Sequence, residues 1–202
     1  KYFTRSSLNY LLGLCFFKKT IKNFTPKIIL EIGGGFGILG SIFNASGVKR
    51  FKYINIDLPP MSLLTEFYLS SCFGKSNVSS YEKTKNLKRI NINNLKRFSS
   101  LNTWQIENLR GRVDLFVNFI SFQEMEPNVM QNYAKIVARL KAKFILLRHL
   151  QEGKQLKKNT KSIGVKKQIK FNQYISVWKK FNYQLVEKNT IPFEYSMCIQ
   201  KK

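Results

Sequence analysis

Residues 27–40 read KIILEIGGGFGILG, a short apolar run that ends in three consecutive glycines and resumes as a second apolar segment. Few architectures accommodate that pattern. A continuous aliphatic run of this length suits a strand buried on both faces, and such strands belong to parallel sheets covered by helices. Glycines at its end let the backbone turn sharply and approach a ligand with no Cβ in the way. The rest of the chain alternates in the same sense. The patterns predict an opening helix over 7–22, a strand over 27–32, a helix over 36–45, a strand over 52–57, and a helix that starts at Pro59 and Pro60 and stops at Gly74. Residues 75–112 are less patterned, with a strand expected near 78–81 or 87–92 and a helix near 104–109. Clear periodicity returns with a strand over 113–121 and a helix over 128–140 whose Val129, Tyr133, Ile136, Val137 and Leu140 share a face. A strand over 143–150 and a helix over 172–181 follow. The last two strands, 182–189 and 195–202, are separated by a loop containing Pro192 that is too short for a crossover helix, so they should pair antiparallel. The expectation is one α/β domain over residues 1–202, with a mostly parallel sheet and helices on both faces.

The glycines can be read in more than one register. Gly35, Gly37 and Gly40 satisfy a G-x-G-x-x-G dinucleotide fingerprint, but two further glycines then separate the strand from the motif. A phosphate-binding P-loop is excluded, because Ser41 stands where its lysine is required. Counting from the first glycine gives Glu31-x-Gly33-x-Gly35-x-Gly37. A carboxylate at the end of a buried strand is costly without a partner. It would repel a pyrophosphate but favour a cationic ammonium or sulfonium, so Glu31 in this register points to S-adenosylmethionine rather than NAD. Asp57 ends the next strand, where a carboxylate can accept from both hydroxyls of a ribose. Both cofactors carry that ribose, and Asp57 also suits the start of a helix.

At this point ILEIGGGFG (29–37), YINIDLP (53–59) and NFISFQEM (118–125) resemble the class I S-adenosylmethionine-dependent methyltransferases, and among them the bacterial sugar O-methyltransferases. The resemblance covers nearly the whole chain. It implies a Rossmann-like, seven-stranded sheet with the last strand antiparallel, and a methyl donor bound by Glu31, Gly33, Gly34, Gly35, Gly37 and Asp57. It further implies that family sequence upstream of the opening helix is absent from this chain, which begins with Lys1, and that such a segment could contribute to the acceptor pocket.

Open α/β sheets bind ligands at the carboxyl ends of their strands. Asn118, Ser121, Gln123 and Glu124 follow one such strand, and Asn118 and Ser121 are candidates for the methionine end of the donor. Methyl transfer to a hydroxyl needs an aligned oxygen and a base. Two residues qualify: Glu124, within SFQEM, and His149, the only histidine. Each also has a plain structural reading, as a carboxylate near a helix start and as a packed imidazole. No cluster of histidines and acids marks a metal site.

Net charge is +24, with 35 Lys and Arg against 11 Asp and Glu. That excess is spread over the chain and reflects either composition or an anionic partner. It is densest in 154–170, where seven lysines stand without an acid. This segment is either a solvated loop or a means of capturing an anionic acceptor, such as a nucleotide-sugar or phosphorylated glycan. An RNA methyltransferase is the alternative, less favoured because no aromatic single-strand platform or base-flipping motif is present. A non-catalytic domain that keeps the fold is a third reading. Three widely spaced cysteines fit a reducing cytoplasm. No apolar run approaches the roughly 20 residues of a membrane span.

Overall fold

The computed structural model describes residues 4–159, 161–191 and 194–202. The chain opens with α1 (Arg5–Thr20), β1 (Ile28–Ile32), α2 (Ile38–Ala45), β2 (Lys52–Asp57) and α3 (Met61–Phe73). It continues through β3 (Val78–Ser79), α4 (Tyr81–Thr84), β4 (Ile90–Asn91), β5 (Phe98–Asn102) and β6 (Leu109–Arg110). Then follow β7 (Leu115–Phe119), α5 (Pro127–Arg139), β8 (Phe144–Leu150), α6 (Phe171–Lys179), β9 (Tyr183–Ile191) and β10 (Glu194–Lys201). Pro192 lies outside the described residues.

The main sheet has eight strands in the order β3-β5-β2-β1-β7-β8-β10-β9, and β4 and β6 form a separate parallel pair. Neighbours from β3 to β8 run parallel, whereas β10 is antiparallel to both β8 and β9. The last strand is therefore reversed, as expected. The count is eight rather than seven because the two-residue β3 adds an edge.

Alternation along the strands builds two cores. Leu30, Ile32, Ile54, Ile56 and Phe116 meet Met130, Ala134 and Val137 of α5 and Tyr174 and Trp178 of α6 on one face. Ile29, Tyr53, Leu115 and Val117 meet Phe17 of α1, Leu39 and Phe43 of α2 and Leu69 of α3 on the other. Trp178 is sealed between Phe116 and Tyr183, so truncating it to alanine should cost about 3–5 kcal/mol.

Several boundaries differ from the sequence expectation for local reasons. α1 starts before residue 7 because Thr4 caps it: Thr4 Oγ1 accepts from the Ser7 N–H at 3.1 Å, and Ser7 Oγ accepts from the Thr4 N–H at 2.9 Å. The expected helix at 104–109 is a 3-10 turn, Thr103–Asn108. β5 escaped sequence reading because FSSLN looks polar, yet all five residues are buried. Its Ser100 hydroxyl donates to the Ser62 carbonyl at 2.6 Å, which offsets the burial. Among the described residues, no helix is long and apolar enough to cross a membrane.

Candidate active site

The glycine turn leaves β1 at the carboxyl edge of the sheet and is stitched to β2 by three backbone N–H groups. Gly33 N–H donates to the Ile56 carbonyl at 2.8 Å, Gly34 N–H to Asn55 Oδ1 at 3.1 Å, and Gly35 N–H to Asp57 Oδ2 at 2.9 Å. Gly35 has φ +58°, a conformation that L side chains adopt reluctantly. At Gly34 the demand is for space: a Cβ there would overlap Glu31 Oε2 and Asn55 Oδ1. Asn55 also donates through Nδ2 to Thr65 Oγ1 at 3.0 Å, and Thr65 in turn bonds the Gly35 carbonyl, so α3 holds the turn from its other side.

Asp57 is half-buried at the rim. Its Oδ1 accepts from the Leu58 N–H at 2.8 Å, so each oxygen takes one backbone donor and keeps further acceptor capacity. Burial nonetheless pushes its carboxyl above the usual range. Asp57 pairs in register with Asn102 of β5. Beyond these two strand ends lies a recess of about 340 Å³ walled by Pro59, Leu63, Tyr81, Ser100, Asn102 and Trp104.

Glu31 sits beneath the turn. It is 1% exposed, and its oxygens accept from the Tyr10 hydroxyl at 2.7 Å and the Tyr53 hydroxyl at 2.5 Å. Burial raises its pKa to about 7 against the opposing pull of the two tyrosines. The expectation of direct contact between Glu31 and a ligand is corrected accordingly, because Tyr10, Tyr53 and the turn bury the carboxylate. What remains is an electrostatic influence through the thickness of the turn.

The end of β7 forms the second wall. Asn118 is fully buried; its Nδ2 donates to the Ile32 carbonyl at 2.8 Å and its Oδ1 accepts from the Phe122 N–H at 2.9 Å. It therefore braces β7 against β1 rather than offering a free group to a donor, another departure from expectation. Ser121 is half-buried and packs against Gly33, with Oγ 3.2 Å from Asn118 Nδ2. Between them Ile120 has φ 72° and ψ −37°, a rare γ-turn geometry for a β-branched residue, at a cost of roughly 1–3 kcal/mol.

The two base candidates part ways. Glu124 is exposed at the rim, with Oε1 2.8 Å from Lys154 Nζ. His149 is 1% exposed, stacked on Tyr174 with ring centroids 4.4 Å apart and edge-on to Tyr195 at 6.0 Å. Neither imidazole nitrogen has a hydrogen-bond partner among the described residues, and burial lowers its pKa to about 3. The expectation of His149 as a base is overturned by this enclosure, since an acceptor cannot reach it. A test follows from linkage. The unfolded chain takes up a proton on His149 below about pH 6.5, whereas the folded chain resists until about 3, so stability is lost as pH falls through that window. His149→Phe should keep the stacking and remove about 3 kcal/mol of that loss at pH 4, read from urea denaturation at pH 7 and pH 4. Parallel profiles for the two proteins would refute it.

The lysine-rich segment after β8 is tied to the rim at both of its ends. Lys154 pairs with Glu124, and the Glu126 carboxylate accepts from the N–H groups of Lys166 at 2.7 Å and Lys167 at 3.2 Å. Sequence reasoning missed the groups that finish this site: Tyr10, Tyr53, Asn55 and Thr65. Asn55 carried a usable signal, a polar residue at an inward position of an otherwise apolar strand. Among the described residues, no three His, Cys, Asp or Glu side chains gather as a metal-ligand set.

No protein-family model matches this sequence, and no curated protein sequence matches it. Solved structures do. Mitomycin 7-O-methyltransferase is 10% identical with a TM-score of 0.63 over 97% of this chain, which spans 54% of that protein's length. Magnesium protoporphyrin IX methyltransferase from Synechocystis, solved with bound S-adenosylmethionine, is 10% identical with a TM-score of 0.60, covering 98% of this chain and 78% of the other. An S-adenosylmethionine-dependent methyltransferase from Aquifex aeolicus is 11% identical with a TM-score of 0.65, covering 98% and 94%. The likeness is one of architecture: this chain has the Rossmann-like α/β fold that those methyltransferases share.

Proposed function

We propose that this protein is an S-adenosylmethionine-dependent methyltransferase that methylates a hydroxyl of a sugar or glycan precursor. The observation that carries the reading is the Asp57 carboxylate, fixed at the glycine turn by the Gly35 N–H and paired in register with Asn102, which lines a mostly apolar recess. The fit to an adenosyl cofactor is chemical. Asp57 has acceptor capacity left for two ribose hydroxyls, and the recess beside Leu63 and Trp104 suits a planar base. Gly33, Gly34, Gly35 and Gly37 allow close approach of the methionine end, with Ser121 beside it. The buried Glu31 favours a positive sulfur above the turn and disfavours a pyrophosphate there. The bound cofactor supplies an activated methyl group on a cationic sulfur.

The protein must then align the acceptor oxygen and take its proton. Glu124 is the carboxylate we assign to that step, from its exposed place on the rim just after β7. Glu124→Gln is expected to lower kcat by about 100-fold or more with donor affinity unchanged, and unchanged turnover would remove it as the base. The reading treats residues 1–202 as one methyltransferase domain. It places the protein in the cytoplasm, in keeping with three free cysteines.

Calorimetric titration with S-adenosylmethionine, S-adenosylhomocysteine and NAD tests the cofactor. Binding of the two adenosyl compounds with NAD silent is the expected result. NAD binding alone, or no binding by folded protein, would overturn the reading. A screen of sugar and nucleotide-sugar acceptors with labelled donor tests the substrate class.

A further inference from the structure

A second concavity opens at the same edge of the sheet, away from the glycine turn. Its volume is about 620 Å³. Its floor is a cross-strand row: Tyr195 of β10 pairs in register with His149 of β8 on one side and Thr190 of β9 on the other. Tyr174 closes the His149 end of that row, and Tyr195 and Thr190 face the cavity. The first turn of α6 supplies one wall through Lys170 and Phe171, and the strap that follows β8 supplies another through Gln168. That strap is held shut on this side, because Gln168 Nε2 donates to the Lys154 carbonyl at 2.8 Å.

The charge on these walls is lopsided. Lys170 and Lys188 both line the cavity, and neither ammonium pairs with a carboxylate among the described residues. Lys188 Nζ instead lies 4.5 Å from the centroid of the Phe171 ring, which meets the Tyr195 ring edge-on at 5.1 Å. One acid, Glu152, also lines the space, so two positive charges face one negative. A concave site with unpaired ammonium groups above aromatic walls is built for an oxyanion attached to a ring.

Position adds a constraint. Neighbouring strands stand about 4.8 Å apart, so Tyr195 on β10 lies about 10 Å from the end of β7, two strands away. A donor over β1 and β7 would thus leave the cavity about one sugar ring plus a phosphate from the reacting hydroxyl.

We propose that this cavity binds the anionic end of the methyl acceptor, a phosphoryl or carboxylate group held between Lys170 and Lys188, with its ring against Phe171 and Tyr195. The assignment rests on the methyl-transfer reading for its role, though not for the binding of the anion itself.

The test is calorimetric titration with glucose 1-phosphate, uridine diphosphate and glucuronate, with S-adenosylhomocysteine titrated separately into each protein. The double variant Lys170→Gln/Lys188→Gln is compared with Lys49→Gln/Lys96→Gln, which removes the same charge from exposed positions ahead of β2 and β5, at the opposite edge. At least one of the three anions should bind the unaltered protein. The cavity variant should lose tenfold or more in affinity for it, the remote variant should lose less than twofold, and S-adenosylhomocysteine should bind all three proteins alike. Preference among the three compounds separates a phosphoryl source from a carboxylate one. Equal losses in both variants would mean diffuse attraction by a basic protein and overturn the proposal, as would failure of all three anions to bind. Adenosyl binding without anion binding would leave the methyl-transfer reading standing and the cavity assignment refuted. Anion binding by a protein silent to S-adenosylhomocysteine would support the site and refute its role as an acceptor subsite.

Discussion

Asp57→Ala is expected to weaken S-adenosylhomocysteine binding by about 100- to 10,000-fold, because hydrogen bonds to a charged acceptor contribute about 1.5–3 kcal/mol each and a ribose presents two hydroxyls. The carboxylate is already oriented for them by the Gly35 and Leu58 N–H groups, so little reorganisation is needed on binding. The same variant deprives Gly35 of its acceptor and loosens the turn. Asp57→Asn separates the two effects: its carbonyl oxygen keeps an acceptor for one N–H while the charge is gone, and an intermediate loss is expected. Calorimetry on both variants, with folding checked by thermal melts, decides the matter. A folded Asp57→Ala protein with undiminished affinity would remove the ribose contact and with it the main support for the cofactor assignment.

Glu31→Gln should change the pH dependence of stability on the alkaline side, where the wild type loses stability. Glu31 titrates near 7 in the folded protein and near 4.5 unfolded, so the folded state binds the extra proton between those values. Its contribution is fully present below about pH 4.5 and is lost as pH rises through 7, amounting to about 3 kcal/mol by pH 8. Asp57 is shifted in the same sense and His149 in the opposite one, so the difference between wild-type and Glu31→Gln curves is the informative quantity. Guanidinium unfolding from pH 4.5 to 8 should show the variant gaining on the wild type across that range. A flat difference would mean that Glu31 stays ionised throughout. The gain should come with a functional cost. S-adenosylmethionine and S-adenosylhomocysteine differ by the charge on sulfur, so losing the buried carboxylate should weaken the first about tenfold more than the second. Tyrosine donors on both oxygens make this a stored charge rather than a ligand contact, and Tyr10→Phe should raise the Glu31 pKa further by removing one of them.

Residues 27–40 and 52–57 were legible as strand, turn and strand because their signals are local: aliphatic runs, glycines, and an acid where a strand ends. The reversed final strand was legible too, since a connection of a few residues permits only an antiparallel return. β5 was not, because Ser99, Ser100 and Asn102 are polar by composition, and Ser100 and Asn102 are buried through a partner elsewhere, Ser62 in α3. The helix expected at 104–109 shrank to a 3-10 turn for a related reason, as neighbouring strands set the path there more than propensity does.

The amino-acid sequence by itself determined the α/β architecture, the turn at Gly33–Gly35 and the position of Asp57 at a strand end, since each depends on residues within one or two elements. Only the tertiary structure decided what those residues face. Tyr10 and Tyr53 reach Glu31 from 21 and 22 residues away in either direction and turn an apparent ligand contact into a buried charge. Tyr174 and Tyr195 enclose His149 from two different elements and take it out of the chemistry. Glu124 and Glu126 bind the strap of lysines to the rim. Burial and pairing are properties of distant segments brought together, and a titratable side chain acquires its chemical role only when those segments close over it.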